Sequence, residues 1–202
     1  MSPRPLLLMI PGAYFRPGDF AANGMIDALA GHEVEAIEVP PCPERYLDDD
    51  VGIWLHDAYV APQAGRRSWM LGISLGAMGA LMHASHPGTV DGMVLLAPFL
   101  GTRGIVAEAV AAGGLSTWHP GSIPEGDVER RLLAGLGRKL PENLYLGCGL
   151  QDRYANASRL LADRLPPARV VWQAGGHDWA CWRSLWSQLL HTITATEVTC
   201  EQ

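Results

Sequence analysis

The sequence predicts an α/β fold in which about six mostly parallel strands form one sheet flanked by helices. Three observations predict it. Short apolar runs recur along the chain with helical stretches between them, the order of elements that builds a parallel sheet covered by helices. Most of these runs are continuously apolar, as strands buried on both faces require. The 23 glycines and 15 prolines follow no repeat and form no low-complexity block, so they punctuate many short elements.

The strands are expected at residues 6–10, 34–39, 69–73, 92–97, 143–148 and 169–173. Only residues 33–39 alternate between polar and apolar, which places that strand at an edge of the sheet. Helices are expected at roughly residues 19–30, 50–61, 77–85, 125–140, 156–165 and 179–194. Pro62, Pro87, Pro141 and the pair Pro166-Pro167 stand where a helix has to stop, because proline lacks the amide donor and clashes with the preceding turn. The one long connection, residues 101–141, reads as a helical insertion with Gly113-Gly114 as a break. Long inserts of this kind often roof a site.

With 202 residues, the chain is expected to be one domain spanning 1–202. A hydrophobic fraction of 48% with 18% charged residues excludes disorder as the main state. The net charge of −6 argues against a nucleic-acid or anionic-membrane partner, since those need a basic face. The charge is uneven: residues 27–57 carry nine acids against one base, Arg45. The plain reading is a solvated face; the sharper one is an acidic rim that disfavours anionic substrates. Cys42, Cys148, Cys181 and Cys200 form no disulfide framework and no C-x-x-C pair, so they read as buried or idle thiols. Arg4 precedes only five apolar residues before Pro11-Gly12, too few for a signal core or a membrane span. A soluble, cytoplasmic protein without a metal or cofactor is expected.

Gly72-Ile73-Ser74-Leu75-Gly76 matches G-x-S-x-G, and its context makes it informative. It ends a predicted strand and opens a predicted helix, where a nucleophile elbow has to be. The flanking glycines fit because the elbow strains the serine backbone and leaves no room for side chains two residues away. A serine hydroxyl is a weak nucleophile that needs a histidine base, itself oriented by an acid. Of seven histidines, His177 is the best placed. It follows the last predicted strand in Gly175-Gly176-His177-Asp178, at the sheet edge where ligands of open α/β folds bind. His32, His56, His83, His86 and His191 read as surface or packing residues, and His119 lies in the insertion. Asp152 follows the fifth strand by a short loop at the same edge and completes the order Ser, Asp, His. Asp178 competes, but it adjoins His177 and is poorly placed for an in-line hydrogen bond. For an oxyanion, the Leu75 amide supplies one donor, and the Gly12-Ala13-Tyr14 turn a second, with Ala13 first by position.

These residues resemble the α/β-hydrolase superfamily over nearly the whole chain. Gly175-Gly176-His177-Asp178-Trp179, followed by Trp182 and Arg183, is also similar to the end of the esterase D and enterochelin-esterase-like groups. Two departures stand out: the first strand begins by residue 6, without the N-terminal hairpin of larger members, and no large cap is present. Proline also stands at position 11, where histidine is common. The resemblance implies a compact serine esterase, or a thioesterase as its nearest variant, acting on a small-molecule acyl substrate. Rival readings are a non-catalytic ligand-binding protein on the same fold and a cofactor-free perhydrolase. Tyr14, Phe99, Leu100, Trp118 and Trp179 are expected in loops near Ser74 as an apolar acyl pocket. Trp179, Trp182 and Trp186 fall on one helical stripe, a pattern that more often marks core.

Overall fold

The computed structural model describes residues 3–84 and 90–200. Strands form where the apolar runs predict them: β1 (Leu6–Ile10), β2 (Glu35–Glu38), β3 (Ser68–Ile73), β4 (Gly92–Leu96), β5 (Leu144–Gly149) and β6 (Val170–Gln173). They make one sheet in the order β2-β1-β3-β4-β5-β6, and every neighbouring pair is parallel. β1, β4 and β5 are buried at every residue, which is why their sequences show no alternation. β2 lies at one edge, with Glu35 exposed and its other residues half-buried, as its alternation predicts. β6 is half-buried at the other edge, a position that its continuous apolar start conceals.

The helices are α1 (Asp19–Ala22), α2 (Val51–Leu55), α3 (Leu75–His83), α4 (Arg103–Ala111), α5 (Val128–Arg138), α6 (Ala155–Ala162) and α7 (Trp179–Cys200). Alternate residues of β1 sort them into layers. Leu6, Leu8 and Ile10 share a core with α2 through α6, while Leu7 and Met9 share one with α1 and α7. Sheet side chains point to opposite faces with a period of two, so each helical layer has its own core.

Two expected helices are interrupted. The stretch from residue 19 gives only α1 and then a 3-10 turn at Asp27–Leu29, because Gly24 takes a positive φ of 74° between them. The stretch from residue 50 runs through α2 into a π turn (His56–Val60) and a 3-10 turn (Ala61–Gln63). The end of the helix expected at residue 85, together with His86 and Pro87, lies outside the described residues, as does the side chain of Cys200.

Residues 101–141 hold α4 and α5, with the break at Gly113 and Gly114, both at positive φ. Leu115, Trp118, Leu132 and Leu133 bury themselves in the core that contains β1 and α3. Arg130 clamps the two helices, giving hydrogen bonds of 2.5 and 3.0 Å to Glu108 and one of 3.2 Å to Asp127. This segment thickens one layer of the fold. The described residues include no large cap.

Candidate active site

Ser74 occupies the turn from β3 into α3 with φ 55° and ψ −115°, a strained conformation for any residue but glycine. The neighbouring strand holds it there. Its amide donates to the Leu96 carbonyl (3.0 Å), and its carbonyl accepts from the amides of Ala77 (3.1 Å) and Phe99 (3.0 Å). The flanking glycines are required by close approach. A side chain at Gly72 would place Cβ 2.6 Å from the Ala77 Cα, and one at Gly76 would run into the Ile10 and Pro11 carbonyls.

Asp152 follows β5 and His177 follows β6, and the two loops are tied together. The Leu150 amide donates to the Gln173 carbonyl (2.8 Å) and the Gln151 amide to the Gly175 carbonyl (3.0 Å). In return the Gly175 amide donates to Gln151 Oε1 (2.7 Å). Cys181 fills the space behind both loops, so a Cβ on Gly175 would lie 2.8 Å from its Sγ. This brings the three predicted residues into one chain: His177 Nδ1 lies 2.8 Å from Asp152 Oδ2, and His177 Nε2 lies 3.0 Å from Ser74 Oγ. A carboxylate only accepts, so a proton on Nδ1 leaves Nε2 free to accept the serine hydroxyl. The Asp152 side chain is fully buried, and its second oxygen accepts from the Tyr154 amide at 2.7 Å. Asp178 is engaged elsewhere, since its Oδ1 accepts from the Cys181 amide at 3.0 Å and caps α7.

His177 is also held by rings that sequence reasoning missed. Tyr154 and Trp182 meet its imidazole edge-to-face, at 5.0 and 4.9 Å between centroids. Around them opens a cleft of about 620 Å³, walled by Tyr14, Phe15, Phe99, Tyr154, Trp179 and Trp182. Ser74, Leu75 and Ala13 line it as well, and among the described residues neither the Leu75 nor the Ala13 amide donates a backbone hydrogen bond. Two free amides beside a serine are what a developing oxyanion needs. The tryptophan stripe of α7 divides: Trp179 is half-buried in the cleft wall, whereas Trp182 and Trp186 are buried in the core, Trp182 reaching the cleft at its edge and Trp186 donating from its indole to the Met25 carbonyl (3.0 Å). The signals for Trp182 were the stripe and its place after the Gly175-Gly176-His177-Asp178-Trp179 motif. Tyr154 had none beyond its closeness to Asp152.

Two expectations are corrected. Trp118 does not line the cleft; it is 6% exposed, in the core with β1, and the Arg130 guanidinium lies 5.8 Å over its ring. Leu100 is likewise fully buried in that core. Both are apolar residues of loops whose sequence cannot say which side of the chain is wet. The insertion reaches the cleft through Glu129, while its apolar side chains bury into the layer beside it. His119 is exposed away from the cleft, and His56 and His83 stack on each other at 5.7 Å. None of the nine acids of residues 27–57 lines the cleft. Several serve the framework instead: Glu35 pairs with Arg66 at 2.6 Å, Asp49 with Arg131 at 2.7 Å, and Glu38 accepts the Gly18 and Ala21 amides.

Burial pushes the Cys148 thiol up to about 12, and that of Cys181 up as well, so both stay protonated beneath the loops. Among the described residues no cluster of His, Cys, Asp and Glu could hold a metal ion, and no helix is long and apolar enough to cross a membrane.

Sheet order, elbow and loop positions together define the α/β-hydrolase fold, and solved structures agree. The chain is similar to S-formylglutathione hydrolase from Staphylococcus aureus, at 16% identity over 95% of this chain and 82% of that one, with a TM-score of 0.62. It is similar to a fluorophosphonate-binding serine hydrolase of the same organism, at 16% identity over 96% and 85%, with a TM-score of 0.61. An α/β-hydrolase enzyme from the metagenome of lagoon sediments at Mar Chica, Morocco, gives 18% identity over 97% and 93%, with a TM-score of 0.63. Neither a family model nor a curated protein matches the chain.

Proposed function

We propose that the protein is a serine hydrolase that cleaves carboxylic esters, with thioesters as the nearest variant, through an acyl-enzyme. The observation that carries this reading is the unbroken hydrogen-bonded chain Asp152, His177, Ser74, at 2.8 and 3.0 Å, opening into an aromatic cleft. Ser74 Oγ attacks the acyl carbon while His177 Nε2 takes its proton. The Leu75 and Ala13 amides hold the oxyanion of the tetrahedral intermediate. As the bond to the leaving group breaks, His177 returns the proton to the departing alcohol or thiol. Water then attacks the acyl-serine with His177 again as base, releasing the acid and restoring Ser74. Asp152 orients His177 and stabilises its protonated form throughout. Tyr14, Phe99 and Trp179 contribute apolar walls for the acyl group. The fold's similarity to proteins described as hydrolases supports the same class.

Fluorophosphonate labelling tests the reading directly. The wild-type protein labels on Ser74 and turns over an activated ester, and Ser74→Ala abolishes labelling and lowers turnover by at least about a thousandfold. A wild-type protein that does not label, or a Ser74→Ala variant that keeps its turnover, overturns it.

A further inference from the structure

The charged groups around the cleft are not equivalent. Asp19, Glu129 and Asp178 line it, but each has an oxygen committed to the backbone: Asp19 to the Arg16 amide (2.7 Å), Glu129 to the Thr102 amide (2.7 Å) and Asp178 to the Cys181 amide (3.0 Å). Arg153 is the one arginine or lysine of the lining, and it is exposed. Among the described residues it forms no ion pair. Other arginines of the protein are tied down, Arg130 to Glu108 and Asp127, Arg131 to Asp49, and Arg164 to the Leu136 and Gly137 carbonyls. Arg153 instead rests over the Tyr154 ring at 5.1 Å, a cation–π contact that fixes the head group while leaving its N–H donors uncommitted.

That ring is the one packed edge-to-face on His177 at 5.0 Å, so the guanidinium stands two ring spacings from the proposed base. A guanidinium presents parallel donors that match a carboxylate. Resting on the ester-hydrolase reading, we infer that Arg153 is the anion-recognition residue of the cleft. It selects esters whose acyl or alcohol part carries a carboxylate a few atoms from the scissile carbonyl. The acidic stretch at residues 27–57 lies outside the cleft, while Asp19, Glu129 and Asp178 keep their charge within it, so the selection comes from close pairing with the Arg153 guanidinium and not from the net charge of the cleft.

The test pairs charged and neutral esters of matched shape. One arm places the charge on the acyl side, para-nitrophenyl hydrogen glutarate against para-nitrophenyl valerate. The other places it on the leaving side, para-butyryloxybenzoate against phenyl butyrate. In one arm the wild type prefers the charged ester, and Arg153→Gln lowers the charged-to-neutral ratio of kcat/KM about tenfold, mainly through KM. Arg153→Lys recovers part of that ratio, and added salt weakens the wild-type preference. A ratio that Arg153→Gln leaves within about twofold in both arms, or a wild type without preference in either, overturns the inference. Loss of fluorophosphonate labelling together with inactivity on all four esters overturns the ester-hydrolase reading itself, and so marks that failure as a different one.

Discussion

The two sides of Ser74 are built differently. On the β5 and β6 side, three hydrogen bonds cross between the acid and histidine loops, and Cys181 packs against both. On the β1 side, the loop through Gly12, Ala13 and Tyr14 closes with one 3.3 Å bond from the Phe15 amide to the Gly12 carbonyl, and Tyr14 is 89% exposed. On the proposed mechanism, the pair that handles the proton is thus held in place before a substrate arrives, whereas the side assigned to the oxyanion keeps its donors free and its outer ring in water. Preorganisation goes to the groups whose misplacement costs most in rate.

Three substitutions probe this contrast. Asp152→Asn removes the charge behind His177 and favours the wrong tautomer, and kcat is expected to fall by about 10³–10⁴ with little change in fold, as steady-state kinetics and circular dichroism would show. A kcat within tenfold of wild type would mean that the tied side does not serve the chemistry. Gly175→Ala comes next. It puts a Cβ against Cys181 Sγ at a residue with φ 139°, so the histidine loop has to shift. A fall of about 10² in kcat together with a lower melting temperature is expected. If melting drops while kcat holds, the crossing bonds are structural only. Tyr14→Ala, on the open side, should change stability by no more than about 0.5 kcal/mol in urea unfolding and act on KM alone. A large loss of stability there would erase the difference between the sides.

Much of this architecture is legible in the residues, for identifiable reasons. β1, β3, β4 and β5 read clearly because both of their faces are covered, and the elbow reads clearly because Gly72 and Gly76 are demanded by backbone contact. His177 and Asp152 could be chosen because parallel strands deliver their following loops to one edge. What was hidden depends on packing between distant segments. The clamp of Tyr154 and Trp182 on His177 joins residues from two helical starts, and Trp118 turned inward because Arg130 and the core cover it. The break at Gly24 shortened α1, although residues 19–30 read as one helical stretch.

The close approach of Gly76 to the Ile10 and Pro11 carbonyls bears on how the proposed reactivity of Ser74 arises during folding. The φ of 55° at Ser74 is sustained only while β1 and β4 stand on either side of the elbow, since a strained backbone persists only where its surroundings over-determine it. The proposed nucleophile therefore cannot be assembled in a partly folded chain that lacks the central strands. Covalent capture of Ser74 during dilution from denaturant would act as a clock for the closing of the sheet's centre, and the serine would be among the last groups to become competent.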